Sequence, residues 1–83
     1  MEKKLYSIYD KLLERYNIPG FDEDDRTCQI GLSREMKRDQ SSYLFCNKDD
    51  LDLYCLGTFD DKTGIITDNQ PRLVCHISSL TEE

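Results

Sequence analysis

The sequence predicts an α+β domain, a small antiparallel β-sheet of three or four strands with one main helix packed on one face, and three observations predict it. Residues 51–67 alternate as a strand, a turn and a returning strand; residues 24–38 read as an amphipathic helix; Leu73, Val74, Cys75, His76 and Ile77 form an apolar run that reads as a last strand or as a peptide docked on a partner. With 83 residues the chain makes one domain, residues 1–83, with a frayed tail expected from about residue 78. A chain of this size buries only about 60% of the surface its unfolded form exposes. So thin a core makes a homodimer a reasonable expectation.

The first element is open between two readings. Leu5, Ile8, Tyr9, Leu12, Leu13 and Tyr16 fit a helical stripe with charged residues opposite, yet residues 5–9 are also rich in β-branched and aromatic side chains. Pro19 and Gly20 end whatever precedes them. In the helix of residues 24–38, Asp22, Glu23, Asp24 and Asp25 suit the N-terminus, and Arg34, Lys37 and Arg38 suit the C-terminus. Cys28, Leu32 and Met36 line its inner face, Gly31 permits close approach to a sheet, and Ile30 falls outside. Residues 39–50 form a polar connection in which Tyr43, Leu44, Phe45 and Cys46 tuck an aromatic under the helix.

In the next strand Leu51, Leu53, Cys55, Gly57 and Phe59 share one side, while Asp52, Tyr54, Leu56 and Thr58 share the other. Gly57 marks a bulge or a close backbone contact. Residues 60–64 supply turn chemistry, with Asp side chains to cap amides and Gly64 free to take positive φ. Ile65 and Ile66 restart the apolar pattern, and residues 68–71 read as a second turn. Leu80 offers an anchor for the tail.

The block from Lys48, Asp49 and Asp50 through the hairpin resembles the small nonstructural protein of gokushoviruses, microviruses with single-stranded DNA genomes. The likeness lies in an acidic lead-in, an apolar strand ending in Gly57, Thr58, Phe59 and Asp60, then Thr63, Gly64 and an apolar pair. Tyr6, Ser7, Ile8, Tyr9 and Asp10 are similar to the family's opening. Pro19, Gly20 and Phe21, followed by Asp24 and Asp25, are similar to its step into a helix. The resemblance implies that residues 4–10 are a strand, with residues 11–16 left for a helical turn. It also implies a role analogous to that of the microvirus C protein. In one respect the chain departs from the pattern: Gln29 and Ile30 stand where the family's helix carries an Ile-Arg pair, which removes one basic side chain.

Composition and spacing exclude several classes. A formal net charge of −6 argues against indiscriminate nucleic-acid binding, since phosphate contact relies on Lys and Arg. No phosphate-binding glycine loop is present. Cys46, Cys55, Cys75 and His76 lack the close cysteine pairs of a zinc site, and the acidic runs lack the spacing of a calcium loop. His76 points away from Cys75 on a strand, so the two cannot form a catalytic dyad. No catalytic residue, metal or cofactor is therefore expected. With no apolar run of about 18 residues and no signal-peptide layout, the expected location is the cytoplasm of the bacterial host, with free thiols.

Two functional readings remain. In the first, implied by the resemblance, the protein acts in viral DNA replication or in the switch to single-stranded synthesis and packaging, with single-stranded or replicative-form viral DNA or the replication complex as partner. The candidate contacts are Arg26, Arg34, Lys37 and Arg38 on the helix, with Tyr6 and Tyr54 as stacking residues. In the second, the acidic runs at residues 22–25, 49–52 and 60–61 bind a host protein without touching DNA.

Overall fold

Glu2–Asp10 is a strand, β1, in the computed structural model, which describes residues 2–81. An isolated helix this short is marginal in water, whereas β1 finds antiparallel partners along both edges. The helical turn expected over residues 11–16 does not form. Instead the Asp10 carboxylate accepts from the Leu12 and Leu13 amides at 2.9 and 3.1 Å, and Glu14 adopts φ 55° to close a hairpin turn. Arg15–Tyr16 (β2) then pairs back on β1, and Gly20–Asp22 (β3) continues along the same edge. Between them Ile18 is looped out, 95% exposed.

The helix α1 spans Asp25–Arg38, starting at Asp24, whose side chain accepts from the Thr27 amide at 2.7 Å. Cys28 and Met36 are buried, Leu32 packs against the same core, and Ile30 is exposed, as the four-residue spacing predicts. Gly31 does not serve close approach: it is exposed, and a Cβ there would have no neighbour within 4 Å. A one-turn helix, α2 (Tyr43–Cys46), follows, capped by Ser42, and then a 3₁₀ turn, Lys48–Asp50. Phe45 and Leu44 reach the core, as expected of this connection.

Leu51–Asp60 (β4) pairs antiparallel with β1 on one side and with Ile66–His76 (β5) on the other, so the sheet runs β2-β1-β4-β5, with β3 pairing β1 on the same edge as β2. The intervening turn is the one predicted. Asp60 accepts from the Lys62 amide at 2.9 Å through its side chain and from the Gly64 amide at 2.8 Å through its carbonyl, with Gly64 at φ 75°. The second turn, at residues 68–71, is absent; those residues stay within β5. Gly57 pairs with Asp68 and Cys55 with Arg72, so two steps on β4 face four on β5. Pro71 is tolerated there because it sits on the outer strand at a bulge, where its missing N–H breaks no ladder. Asn69 Nδ2 donates to the Cys55 carbonyl at 3.1 Å across the gap.

A second irregularity reverses the side-chain phase of β4. Leu5 pairs with Gly57 and Tyr6 with Cys55, leaving Leu56 as an extra residue. A one-residue slip moves everything beyond it to the other face. Leu51, Leu53 and Cys55 therefore face the helix, whereas Phe59 turns away and meets Phe21 at 5.4 Å between ring centroids. Phe59 thus leaves the core side that simple alternation assigns to it. Gly57 meets both expectations, beside the bulge and against the neighbouring strand, where a Cβ would collide with the Thr67 carbonyl oxygen.

The core is Tyr6, Cys28, Met36, Leu51, Leu53, Cys55 and Ile77. The last of these opens a 3₁₀ turn, Ile77–Thr81, over the stretch where a frayed tail is expected; Ser33 Oγ donates to the Leu80 carbonyl at 3.1 Å and links it to α1. Residues 82 and 83 lie outside the described residues.

Candidate nucleic-acid interface

α1 offers its outer surface to solvent because Cys28, Leu32 and Met36 hold the opposite side against the sheet. Arg26, Ile30 and Arg34 follow one another at four-residue spacing, and Lys37 comes three residues later, which sets them on one ridge. All four are exposed. Arg38 is exposed as well but forms an ion pair with Glu35 one turn back. A fourth arginine that sequence reasoning passed over, Arg72 on β5, reaches the helix start and is bound to the Asp25 carboxylate at 3.0 and 3.2 Å.

Tyr6 is no stacking residue. Its neighbours Cys55 and Gly20 set it on the helix side of the sheet, where it is 4% exposed, and its hydroxyl donates to Asp25 Oδ1 at 2.5 Å. Burial, reinforced by that carboxylate, pushes the phenol well above its ordinary pKa. The Arg72 guanidinium and the Tyr6 hydroxyl in turn hold Asp25 below the usual carboxylate range, with burial opposing them. Tyr6, Asp25 and Arg72 form a clasp that ties β1, α1 and β5 together.

Tyr54 lies on the other side. On β4 it pairs with Ser7, and Tyr9 and Tyr16 face each other across β1 and β2. The three rings form a closed cluster with centroids 4.8 Å (Tyr9–Tyr16), 6.0 Å (Tyr9–Tyr54) and 5.6 Å (Tyr16–Tyr54) apart. Partial burial, then nearby Asp52 and the two other phenols, raises the Tyr54 hydroxyl. The basic ridge and Tyr54 therefore do not form one site, since the sheet separates them. Tyr16 was missed because only the turn at residues 11–14 brings it opposite Tyr9, and that segment reads as helix.

Other titratable groups serve structure. The buried Asp10 carboxylate accepts from the Tyr43 hydroxyl at 2.6 Å, and that bond, with the Leu13 amide, holds it below the ordinary range. Asp52, also buried, bonds His76 Nδ1 at 2.7 Å and has Lys11 Nζ at 3.7 Å. All four cysteines are free thiols; burial pushes Cys28 up to about 11 and raises Cys75, which makes both poor nucleophiles. Among the described residues no three His, Cys, Asp or Glu side chains gather as a metal site, and no helix is long and apolar enough to cross a membrane. An apolar pocket of about 160 Å³, lined by Tyr6, Ile8, Ile18, Leu32 and Leu53 among others, is too small for a typical ligand of a few hundred Å³.

A family model described as Phage ORF5 protein matches residues 3–80. No curated protein matches the chain, and no solved structure does.

Proposed function

Since the chain belongs to the Phage ORF5 protein family, we propose that it is a nonstructural phage protein that acts in viral DNA replication or in the switch to single-stranded synthesis and packaging, by binding DNA or the replication complex. The observation that carries this reading is the exposed ridge of Arg26, Arg34 and Lys37 on the solvent side of α1. Cations arrayed on one face of a rigid helix can meet successive phosphates despite an acidic total. A finer placement among the small nonstructural proteins of gokushoviruses belongs to the same proposal. It rests on the likeness of residues 6–10, 19–25 and 48–66 to that family.

The competing reading, an acidic module that binds a host protein, draws on carboxylates that have work inside the molecule. Asp22 caps the Glu23 amide and Asp24 the Thr27 amide, Asp25 holds Tyr6 and Arg72, Asp52 is buried against His76, and Asp60 caps Lys62. Five of the nine carboxylates in those runs are so engaged, which breaks up the row that would imitate phosphates. The DNA reading gives the protein no catalytic step and sets it in the host cytoplasm, where viral DNA is copied.

The test is a titration of labelled single- and double-stranded oligonucleotides at low salt, repeated as salt is raised. Binding that weakens with salt, and that Arg34→Ala or Lys37→Ala weakens while lowering the salt slope by about one each, supports the reading. Absence of binding to either probe overturns direct DNA contact and leaves a protein partner.

A further inference from the structure

We propose that the open face of the sheet is a stacking platform for the unpaired bases of a single strand of nucleic acid. This rests on the DNA-binding reading and gives it a strand preference and a second surface, opposite the helix.

The sheet has helices on one side alone, and its other side is aromatic. The phase reversal at Leu56 sends Phe59 to that side to meet Phe21, while Tyr9, Tyr16 and Tyr54 gather further along the same strands. Tyr16 is 42% and Phe21 51% exposed. Five rings drawn from β1, β2, β3 and β4 thus occupy one surface. Each base has a π-face, so rings exposed on one face of a sheet accept bases with little regard to sequence, provided the bases are not already stacked in a duplex.

Charge on the open side is close to balanced. By register Asp10, Asp22 and Asp60 fall on the helix side of the sheet together with Lys4, Arg15 and Arg72, and Asp24 and Asp25 lie at the helix start. The open side carries Asp52, which is buried, bonds His76 and lies 3.7 Å from Lys11, and Asp68 on the outer strand. Along β1, alternation sets Lys3, Leu5, Ser7 and Tyr9 on the open side, and Lys11 follows at the far end. Lys3 lies beside Phe59, with Asp61 of the hairpin turn nearby, and Lys11 lies by the tyrosines. The two lysines bracket the aromatic row about 26 Å apart at about 3.3 Å per strand residue, a span of a few extended nucleotides; to hold a phosphate Lys11 exchanges its contact with Asp52, and Lys3 its attraction to Asp61. A second copy, carrying the same lysines, has no such reason to lie across them. Edge pairing of sheets is also hindered, since Pro71 and the double bulge blunt β5.

The experiment uses the full chain and a fluorescein-labelled twelve-nucleotide oligo-dT, beside a mixed-sequence duplex of the same length, at low salt. The chain has no Trp, so intrinsic emission reports tyrosine directly. Oligo-dT is expected to quench it. Tyr16→Ala and Tyr54→Ala are each expected to weaken oligo-dT binding about 5- to 160-fold, the range one base stacked on one ring spans, and to leave duplex binding within about twofold. Tyr54→Phe keeps the ring and retains binding, which separates stacking from a folding defect; circular dichroism and a thermal melt check each variant. If oligo-dT binds and neither alanine variant weakens it, the platform is overturned while DNA binding through α1 stands. No oligonucleotide binding at all fells both. A wild-type dimer by light scattering that becomes monomeric in Tyr16→Ala, with oligo-dT affinity unchanged, assigns the face to a second copy and overturns the proposal.

Discussion

The two faces of this sheet are built from the same strands and solve opposite problems. Beneath α1, Leu51, Leu53 and Cys55 are dry, and the polar groups that share their side are tied: Tyr6 to Asp25, Asp10 to Tyr43 and two amides. On the other face the rings of Tyr9, Tyr16 and Tyr54 touch one another and remain half open to water. Antiparallel sheets commonly leave one face to solvent, and the rule is then polar residues outward. Here five of the outward residues are aromatic, which is what the proposed contact surface requires.

The sharpest way to break that contrast is to truncate one side chain on each face, at adjacent positions of one strand. Leu53→Ala removes a side chain that is 1% exposed and is expected to cost about 2–5 kcal/mol, a lost transfer term plus a cavity. Tyr54→Ala, next along β4, is expected to cost less, about 1–3 kcal/mol for the two ring contacts that it loses. Urea unfolding measures both. Equal costs would mean that the open face is core after all, covered in solution by something that the single chain does not supply.

The Tyr6 clasp tests the same division from the helix side. Tyr6→Phe keeps the ring and deletes the hydroxyl bonded to Asp25, with an expected loss of about 1.5–3 kcal/mol for a hydrogen bond to a charged group and no change in oligonucleotide affinity. The acid limb of stability sharpens it further. Arg72 and Tyr6 lower the folded pKa of Asp25, and Tyr43 with the Leu13 amide lowers that of Asp10. A depressed carboxylate contributes stability that is present above its unfolded pKa and lost as pH falls through the folded one. Unfolding midpoints of the wild type are therefore expected to fall steadily below about pH 4, near the unfolded carboxylate value. In Asp25→Asn the fall should be shallower; an unchanged slope would show that the clasp is not closed in solution.

Gly57→Ala acts on the boundary between the faces. The new methyl would be driven into the Thr67 carbonyl and lies 3.1 Å from the Asp68 Cα, backbone atoms that cannot swing aside. An overpacking cost of about 1–3 kcal/mol is expected. Because the bulge at Leu56 sets which way Phe59 points, the more telling readout is the Phe21–Phe59 contact, followed by aromatic proton shifts. Retention of that contact at full stability would show that the phase reversal does not depend on Gly57.

These positions also mark where sequence reasoning reached and where it stopped. The helix was legible because its cap, its charge bias and the spacing of Cys28, Leu32 and Met36 are local signals that agree. The hairpin at residues 60–64 was legible for the same reason. The first strand took a family resemblance, since its residues fit both periods. What was not legible is the phase of β4 and hence the face of Phe59, the bulge that absorbs residues 68–71, and the side of β1 on which Tyr6 falls. A bulge adds a residue without altering composition, and every side chain beyond it changes sides. Gly57 signalled that something occurs there, but not in which direction. As for the candidate site, Arg26, Arg34, Lys37 and Tyr54 stand exposed or half-exposed as a contact residue must, Tyr6 does not, and Tyr16 came into view only with the turn that carries it.

The smallest expected effect separates two arginines one turn apart on the ridge side of α1. Arg38 is paired with Glu35 and both are well exposed, a setting in which an ion pair contributes little, about 0–1 kcal/mol. Arg38→Ala should thus leave stability nearly unchanged. It should also change DNA affinity less than Arg34→Ala, because releasing Arg38 to a phosphate means giving up a partner and leaving Glu35 facing the same polyanion. Double substitution makes the argument decisive. If Glu35 masks Arg38, then Glu35→Gln alone should raise oligonucleotide affinity and steepen its salt dependence, and adding Arg38→Ala should abolish that gain. A Glu35→Gln variant that binds no better would show that Glu35 does not mask Arg38 and leave Arg26, Arg34 and Lys37 as the helix residues to test.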